Sequence, residues 1–98
     1  MKRLLLVAVV LALPVPALAG PVDGACMRSD RGGNRGLCGC IQQVADMTLS
    51  RSDQRRAAGF FKNPDEAQKV RQSDRASDEA FWLRYKNFAA TAEAYCGG

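Results

Sequence analysis

The sequence has no histidine among its 98 residues, and its aromatic side chains are few: one tryptophan, two tyrosines and four phenylalanines. Histidine is the residue whose ordinary pKa best suits proton transfer near pH 7, and it is the commonest metal ligand. Its absence excludes histidine-dependent hydrolases and leaves carboxylates, serines and lysines as the possible catalytic groups. We therefore expect a protein that is not an enzyme and that uses no metal or cofactor.

A stripe of charge of one sign is also missing. The chain has 14 basic and 10 acidic residues, a net charge of +4, and from Arg51 onwards the two signs alternate closely. Proteins that bind nucleic acids concentrate basic residues on one face, so we expect no nucleic-acid partner. The alternating apolar pattern of β-strands and internal repeats are absent as well, and an all-α fold is expected.

The one long apolar run lies at the start of the chain. Lys2 and Arg3 precede ten apolar residues, Leu4–Leu13, and Ala17-Leu18-Ala19 follows with small residues two apart. This order is typical of a cleaved secretory signal peptide. The run is shorter than the about 20 residues of a membrane-spanning helix. We expect cleavage after Ala19 and a periplasmic or secreted protein without a membrane span.

The remainder divides into two parts. Residues 20–37 contain five glycines and a proline, which predicts a flexible, Gly-rich N-terminal loop. Residues 38–98 show helical periodicity and predict a small bundle of three to four short helices, stapled by two disulfides. One small domain of this size has little core and commonly depends on such staples.

Four helices are predicted within that domain. The first runs from about Gly39 to Leu49, with Ile41, Val44 and Thr48 on one face. The second covers Arg55 to Phe61, after an N-cap at Ser50 or Ser52. The third begins at Pro64, which suits the first position of a helix, and ends near Gln72.

The last predicted helix begins after an N-cap at Ser77 and ends before Gly97-Gly98. Its apolar residues repeat at intervals of four and three, the pattern of one helix face: Phe81, Tyr85, Phe88, Ala92 and Tyr95. We expect this stripe to form the core with Ile41 and Val44.

Four cysteines remain after cleavage, and an even number in an exported chain predicts two disulfides. Cys26–Cys38 with Cys40–Cys96, and Cys26–Cys40 with Cys38–Cys96, close loops of nearly equal length. We prefer Cys40–Cys96 because Cys40 lies further inside the first predicted helix. A Cys38–Cys40 bridge would instead indicate thiol-redox chemistry by this closely spaced pair.

Four stretches of the chain resemble one known family: CGCIQ at 38–42, SDQRRAA at 52–58, QKVRQSDR at 68–75 and EAFWLRY at 79–85. They are similar to small exported proteins of alphaproteobacteria, some of which carry the name "arginine transporter". The resemblance covers roughly residues 38–96 and implies a periplasmic location. It brings no functional residues to this sequence.

The function most consistent with these features is a non-catalytic binding or interaction module. Exposed aromatic side chains are candidate docking sites for a periplasmic protein, and the candidates are Phe60, Phe61 and Trp82. An alternative is a soluble accessory for transport that binds a cationic solute such as arginine. It would use the densest group of acids, Asp74, Asp78 and Glu79.

Overall fold

A computed structural model describes residues 20–29 and 34–97. The expected signal peptide, residues 1–19, lies outside the described residues. Five helices form the fold, in the order α1 (Pro21–Arg28), α2 (Arg35–Thr48), α3 (Arg51–Lys62), α4 (Pro64–Gln72) and α5 (Ala76–Cys96). These two ranges contain no strand. The prediction of a small, all-α, disulfide-stapled bundle is confirmed.

Helix α1 corrects the predicted loop at 20–37, because Pro21–Arg28 is helical. Val22, Ala25 and Cys26 lie on one face of this helix and are buried. Pro21 occupies its first turn, where the missing N–H costs nothing. The interior Gly24 lowers helix propensity and obscured this short pattern in the sequence.

The start of α1 is capped by a residue from another helix. The Gln42 side chain of α2 accepts hydrogen bonds from the backbone N–H groups of Val22 and Asp23 at 2.9 and 2.8 Å. Gly20 lies against the same carboxamide, and a Cβ at Gly20 would collide with it. Because glycine has no Cβ, the backbone at Gly20 can pack directly against the Gln42 side chain that caps α1.

Gln42 also belongs to a buried polar network. Its Nε2 donates to Gln54 Oε1 on α3 at 2.7 Å and to Asp46 Oδ1 at 2.9 Å. The Gln54 amide in turn donates to the carbonyl of Leu49 at 3.2 Å, in the turn between α2 and α3. Buried amides are costly unless their partners are present, so this network fixes the relative positions of α1, α2 and α3.

Replacing Gln42 with leucine tests the cap. The variant removes the hydrogen-bond partner of the Val22 and Asp23 backbone N–H groups and of the side-chain oxygen of Gln54. Buried unpaired polar groups typically cost 1–3 kcal/mol each, and partial access of water to the helix end reduces the sum. We expect a loss of about 2–3 kcal/mol in the free energy of unfolding, measured by urea denaturation. Gln43→Leu, on the exposed side of α2, is the control and should change stability by less than about 0.5 kcal/mol.

Local sequence signals place some of the helix ends, but α2 begins at Arg35 rather than near Gly39, and α3 begins at Arg51 rather than Arg55. Ser50 caps α3, as predicted, by accepting a hydrogen bond from Asp53 N at 3.1 Å, and α4 has the predicted bounds. The N-cap prediction at Ser77 is wrong. Helix α5 begins at Ala76, so Ser77 lies inside the helix, and the N-cap residue is Arg75, whose side chain has no acceptor oxygen for a cap.

The core contains the predicted aromatic stripe. Phe81 and Phe88 of α5 and Val44 of α2 are buried, and Ile41 and Tyr85 pack at the edge of the same cluster. The remaining buried members are Val22, Ala45, Leu49, Ala57, Phe60 and Val70. Tyr95 departs from the predicted stripe and is exposed. Its neighbour Cys96 faces α2, and successive residues of a helix point about 100° apart.

The two disulfides connect α2 to the helices on either side of it. Cys26 of α1 pairs with Cys38, and Cys96 at the end of α5 pairs with Cys40, with Cα–Cα distances of 5.6 and 5.8 Å. This pairing confirms the one that the sequence analysis preferred. Cys38 and Cys40 are two residues apart, so they project from opposite flanks of the helix. Bridges of this kind persist in oxidising compartments such as the periplasm or the extracellular space.

No helix within residues 20–29 and 34–97 is long and apolar enough to cross a bilayer.

Candidate functional site

The Cys38-Gly39-Cys40 motif has no free thiol in the structure. All four cysteines are in disulfides, and Cys38 and Cys40 are joined to different helices rather than to each other. A thiol-exchange site needs one accessible, activated thiol beside its partner. Among the described residues, no group of three or more acidic or cysteine side chains could hold a metal ion.

The acidic group Asp74, Asp78 and Glu79 is divided between two environments. Asp78 is buried, and its two oxygens bind Arg56 Nη2 at 2.7 Å and the Ser73 hydroxyl at 2.7 Å. Asp74 and Glu79 are exposed and form no ion pair with any residue that the structure describes. Asp78 thus joins α3 to the start of α5, and the three carboxylates do not present a common open site for a cation.

The partners of Asp78 make its charge part of the folded state. The hydrogen bond from Arg56, with the one from Ser73, lowers the pKa of Asp78 below its ordinary value of 3.8, although burial opposes the shift. A carboxyl whose pKa is lower in the folded state stabilises the fold above its unfolded pKa. That contribution is lost as the pH falls below 3.8 and through the lowered pKa.

This linkage predicts the behaviour of Asp78→Asn. At pH 7 the variant should unfold at a lower urea concentration than the parent, because the ion pair to Arg56 is absent. The difference between the two proteins should shrink as the pH falls below 3.8 and through the lowered pKa of Asp78. Glu79→Gln, at the adjacent exposed position, is the control and should differ from the parent at pH 7 much less than Asp78→Asn does. A difference for Asp78→Asn that stays constant with pH would contradict the linkage.

The three candidate aromatic residues differ in their surroundings. Phe60 belongs to the core and makes edge-to-face contacts with Phe81 and Tyr85, at centroid distances of 6.0 and 5.1 Å. Trp82 stacks on Tyr85 at 5.2 Å and is half-buried. Phe61 is also half-buried, but it lines an open cleft on the other side of α3. Of the three predicted docking residues, Phe61 alone is among those that line this cleft.

The cleft lies where the C-terminal ends of α1 and α3 meet the first residue of α4, and its volume is about 660 Å³. Clefts of about 300–1,000 Å³ are typical of ligand-binding sites. We call it the α1–α3 cleft and define it by its lining residues: Ala25, Arg28, Ser29, Ala58, Gly59, Phe61, Lys62 and Pro64.

Two cations from different helices face the α1–α3 cleft. Arg28 occupies the last turn of α1, and Lys62 occupies the last turn of α3. Both side chains are exposed, and neither forms an ion pair with a residue in the described part of the chain. The Arg28 guanidinium folds back over Gly24, with Nη1 3.3 Å from where a Cβ of that glycine would lie. The cleft thus combines an apolar wall with a positively charged rim.

Gly59 forms part of the cleft lining although it lies in the interior of α3. It is exposed, and a Cβ added there would have no heavy atom of residues 20–29 or 34–97 within 4 Å. Packing within the fold therefore does not require glycine at this position. An interior helical glycine lowers stability relative to alanine, and no packing contact of the described residues accounts for it here.

Gly59→Ala should accordingly stabilise the protein. We expect the free energy of unfolding to rise by about 0.5–1 kcal/mol, the difference in helix propensity between glycine and alanine. Thermal unfolding followed by circular dichroism measures the gain as a higher Tm. A lower Tm would show that glycine serves the fold itself rather than the open space of the cleft.

Sequence reasoning identified Phe61 and missed the rest of the cleft. The sequence predicts a loop at Arg28, so it gives no reason to expect Arg28 and Lys62 at the same cleft. Gly59 carried a usable signal, since an isolated glycine within a helical pattern commonly has a packing or functional reason. A comparison with known proteins adds no relatives: no protein-family model, curated protein or solved structure matches this chain.

Proposed function

We propose that this chain is a periplasmic or secreted, disulfide-stapled binding module that acts without catalysis and docks a partner protein in the α1–α3 cleft. The observation that carries the proposal is the position of Phe61. It is a half-buried aromatic residue that packs against the core on one side and lines an open cleft of about 660 Å³ on the other, whereas its neighbour Phe60 is buried in the core. Aromatic side chains at such positions commonly anchor protein interfaces.

The location follows from two features. The first 19 residues have the order of a signal peptide, and cleavage after Ala19 would release residues 20–98. The four cysteines are paired in disulfides, which persist in the periplasm and outside the cell. A binding module in that setting also agrees with the absence of histidine from the sequence.

Photo-crosslinking in the native compartment tests the docking site. A photoreactive phenylalanine analogue replaces Phe61 in one strain and Leu83 in another. Leu83 is the matched control because it is a large apolar residue, 63% exposed, on α5. We expect one covalent adduct of defined mass from position 61 and none from position 83. Added wild-type protein should suppress the adduct, whereas added Phe61→Ala protein should not.

Other results would overturn the proposal. Equal adducts from both positions would show non-specific contact, and no adduct from position 61 would remove the docking site. Calorimetry with arginine provides a separate arm. Saturable micromolar binding of arginine that Glu79→Ala abolishes would establish the solute-binding alternative in place of a protein partner.

A further inference from the structure

We infer that the segment held in the α1–α3 cleft is an acidic peptide of the partner protein, with carboxylates at Arg28 and Lys62 and an apolar side chain against Phe61. The inference rests on the proposed function and names the chemistry of its partner. Three properties of the cleft support it: its unpaired charges, the open space at Gly59, and its dimensions.

The charge argument concerns the rim of the cleft. Arg28 and Lys62 come from separate helices and line the same cleft, and no carboxylate of residues 20–29 or 34–97 pairs with either of them. Each cation also suits the C-terminal end of its own helix. That role requires one positive charge per helix end and leaves the exposed head groups able to bind an incoming carboxylate. An arginine offers several donors in a planar fork, which suits carboxylates.

Gly59 is an independent observation that points to an occupant. The helix ends explain the two cations, but they do not explain an exposed glycine in the interior of α3. A Cβ there would meet no heavy atom of the described residues within 4 Å, so a molecule that enters the cleft can occupy the space beside Gly59. Glycine permits a peptide backbone to approach α3 more closely than any other residue would.

The dimensions favour a segment of chain over a folded domain. A volume of about 660 Å³ is comparable with the sites that hold small ligands. A short extended peptide can place one apolar side chain against Phe61 and Pro64 and carboxylates on either side of it. A folded surface would meet the rim alone and leave the space at Gly59 empty.

Isothermal titration calorimetry of the exported protein with synthetic peptides tests the inference. The probe is a capped hexapeptide with the order Asp-Asp-Phe-Leu-Asp-Asp. The comparison peptide has asparagine in place of every aspartate. We expect saturable binding of the acidic peptide, at least tenfold weaker binding of the asparagine peptide, and weaker binding at higher salt because these charges are exposed.

Single substitutions in the cleft measure how much Arg28, Lys62 and Gly59 each contribute to peptide binding. Arg28→Gln and Lys62→Gln should each weaken binding about two- to fivefold, the range for exposed ion pairs. Gly59→Ala should weaken it at least tenfold while raising the Tm. Gly36→Ala is the matched control: Gly36 is an exposed glycine at the start of α2 and is not among the cleft-lining residues. This variant should bind the peptide like the parent.

The outcomes distinguish this inference from the proposed function. Equal binding of the two peptides, or normal binding by Gly59→Ala, would overturn the inference. If the Phe61 crosslink still forms in that case, the binding function stands with a partner of different chemistry. If neither the crosslink nor peptide binding is found, both proposals fail.

Discussion

Phe81→Ala is expected to lower the free energy of unfolding by about 3–5 kcal/mol, the range for truncating a buried aromatic side chain. Phe81 is 1% exposed and lies among Phe60, Tyr85 and the Arg56 guanidinium, which is 4.6 Å from its ring centroid. Its removal leaves a cavity where α3 and α5 meet. Small domains have total stabilities of about 5–15 kcal/mol, so urea denaturation should show a large shift of the midpoint.

A control on the same helix isolates the effect of burial. Leu83→Ala removes a large apolar side chain that is 63% exposed, and alanine and leucine have similar helix propensities. We expect a change below about 0.5 kcal/mol for this variant. A Phe81→Ala protein as stable as Leu83→Ala would show that the inner face of α5 does not pack against α3.

Local patterns in the sequence predicted the parts of the fold that depend on neighbouring residues. The repeat of Phe81, Tyr85 and Phe88 identified the inner face of α5, because residues three and four apart share a helix face. Pro64 identified the start of α4, and Ser50 was one of two N-caps predicted for α3, because caps and first-turn prolines act within one turn of the helix.

The parts that depend on distant residues were not predictable. Helix α1 contains an interior glycine and receives its cap from Gln42, 20 residues later than Val22. No pattern within residues 20–29 reveals that partner. The α1–α3 cleft was missed for the same reason, because it exists only where α1 lies beside α3.

Asp78 and Glu79 show the same limit within a single turn. Both are acidic residues at the start of α5, where carboxylates favour the helix dipole. The sequence suggested that they act together. Asp78 turns towards Arg56, 22 residues away, whereas Glu79 remains exposed, and only the packing of α3 against α5 separates their roles.

Removing the Cys40–Cys96 bridge, as Cys40→Ser with Cys96→Ser, should lower the free energy of unfolding by about 4 kcal/mol. The bridge closes a segment with a sequence separation of 56, and the chain-entropy estimate grows with the length of the closed loop. The Cys26–Cys38 bridge, with a separation of 12, should contribute about 3 kcal/mol on the same basis. Thermal and urea unfolding of the two double variants measures both values.

For peptide binding in the α1–α3 cleft, we expect the Cys26–Cys38 bridge to matter more than the Cys40–Cys96 bridge, the reverse of their contributions to stability. Cys40–Cys96 holds the end of α5 to α2, away from the residues that line the cleft, so its loss should leave binding by the folded protein unchanged. Cys26 lies next to Ala25 and two residues before Arg28. Loss of the Cys26–Cys38 bridge should therefore loosen one wall of the cleft and weaken binding, although it costs less stability. If binding followed stability instead, both bridges would serve the fold as a whole, and α1 would have no separate role in holding the cleft open.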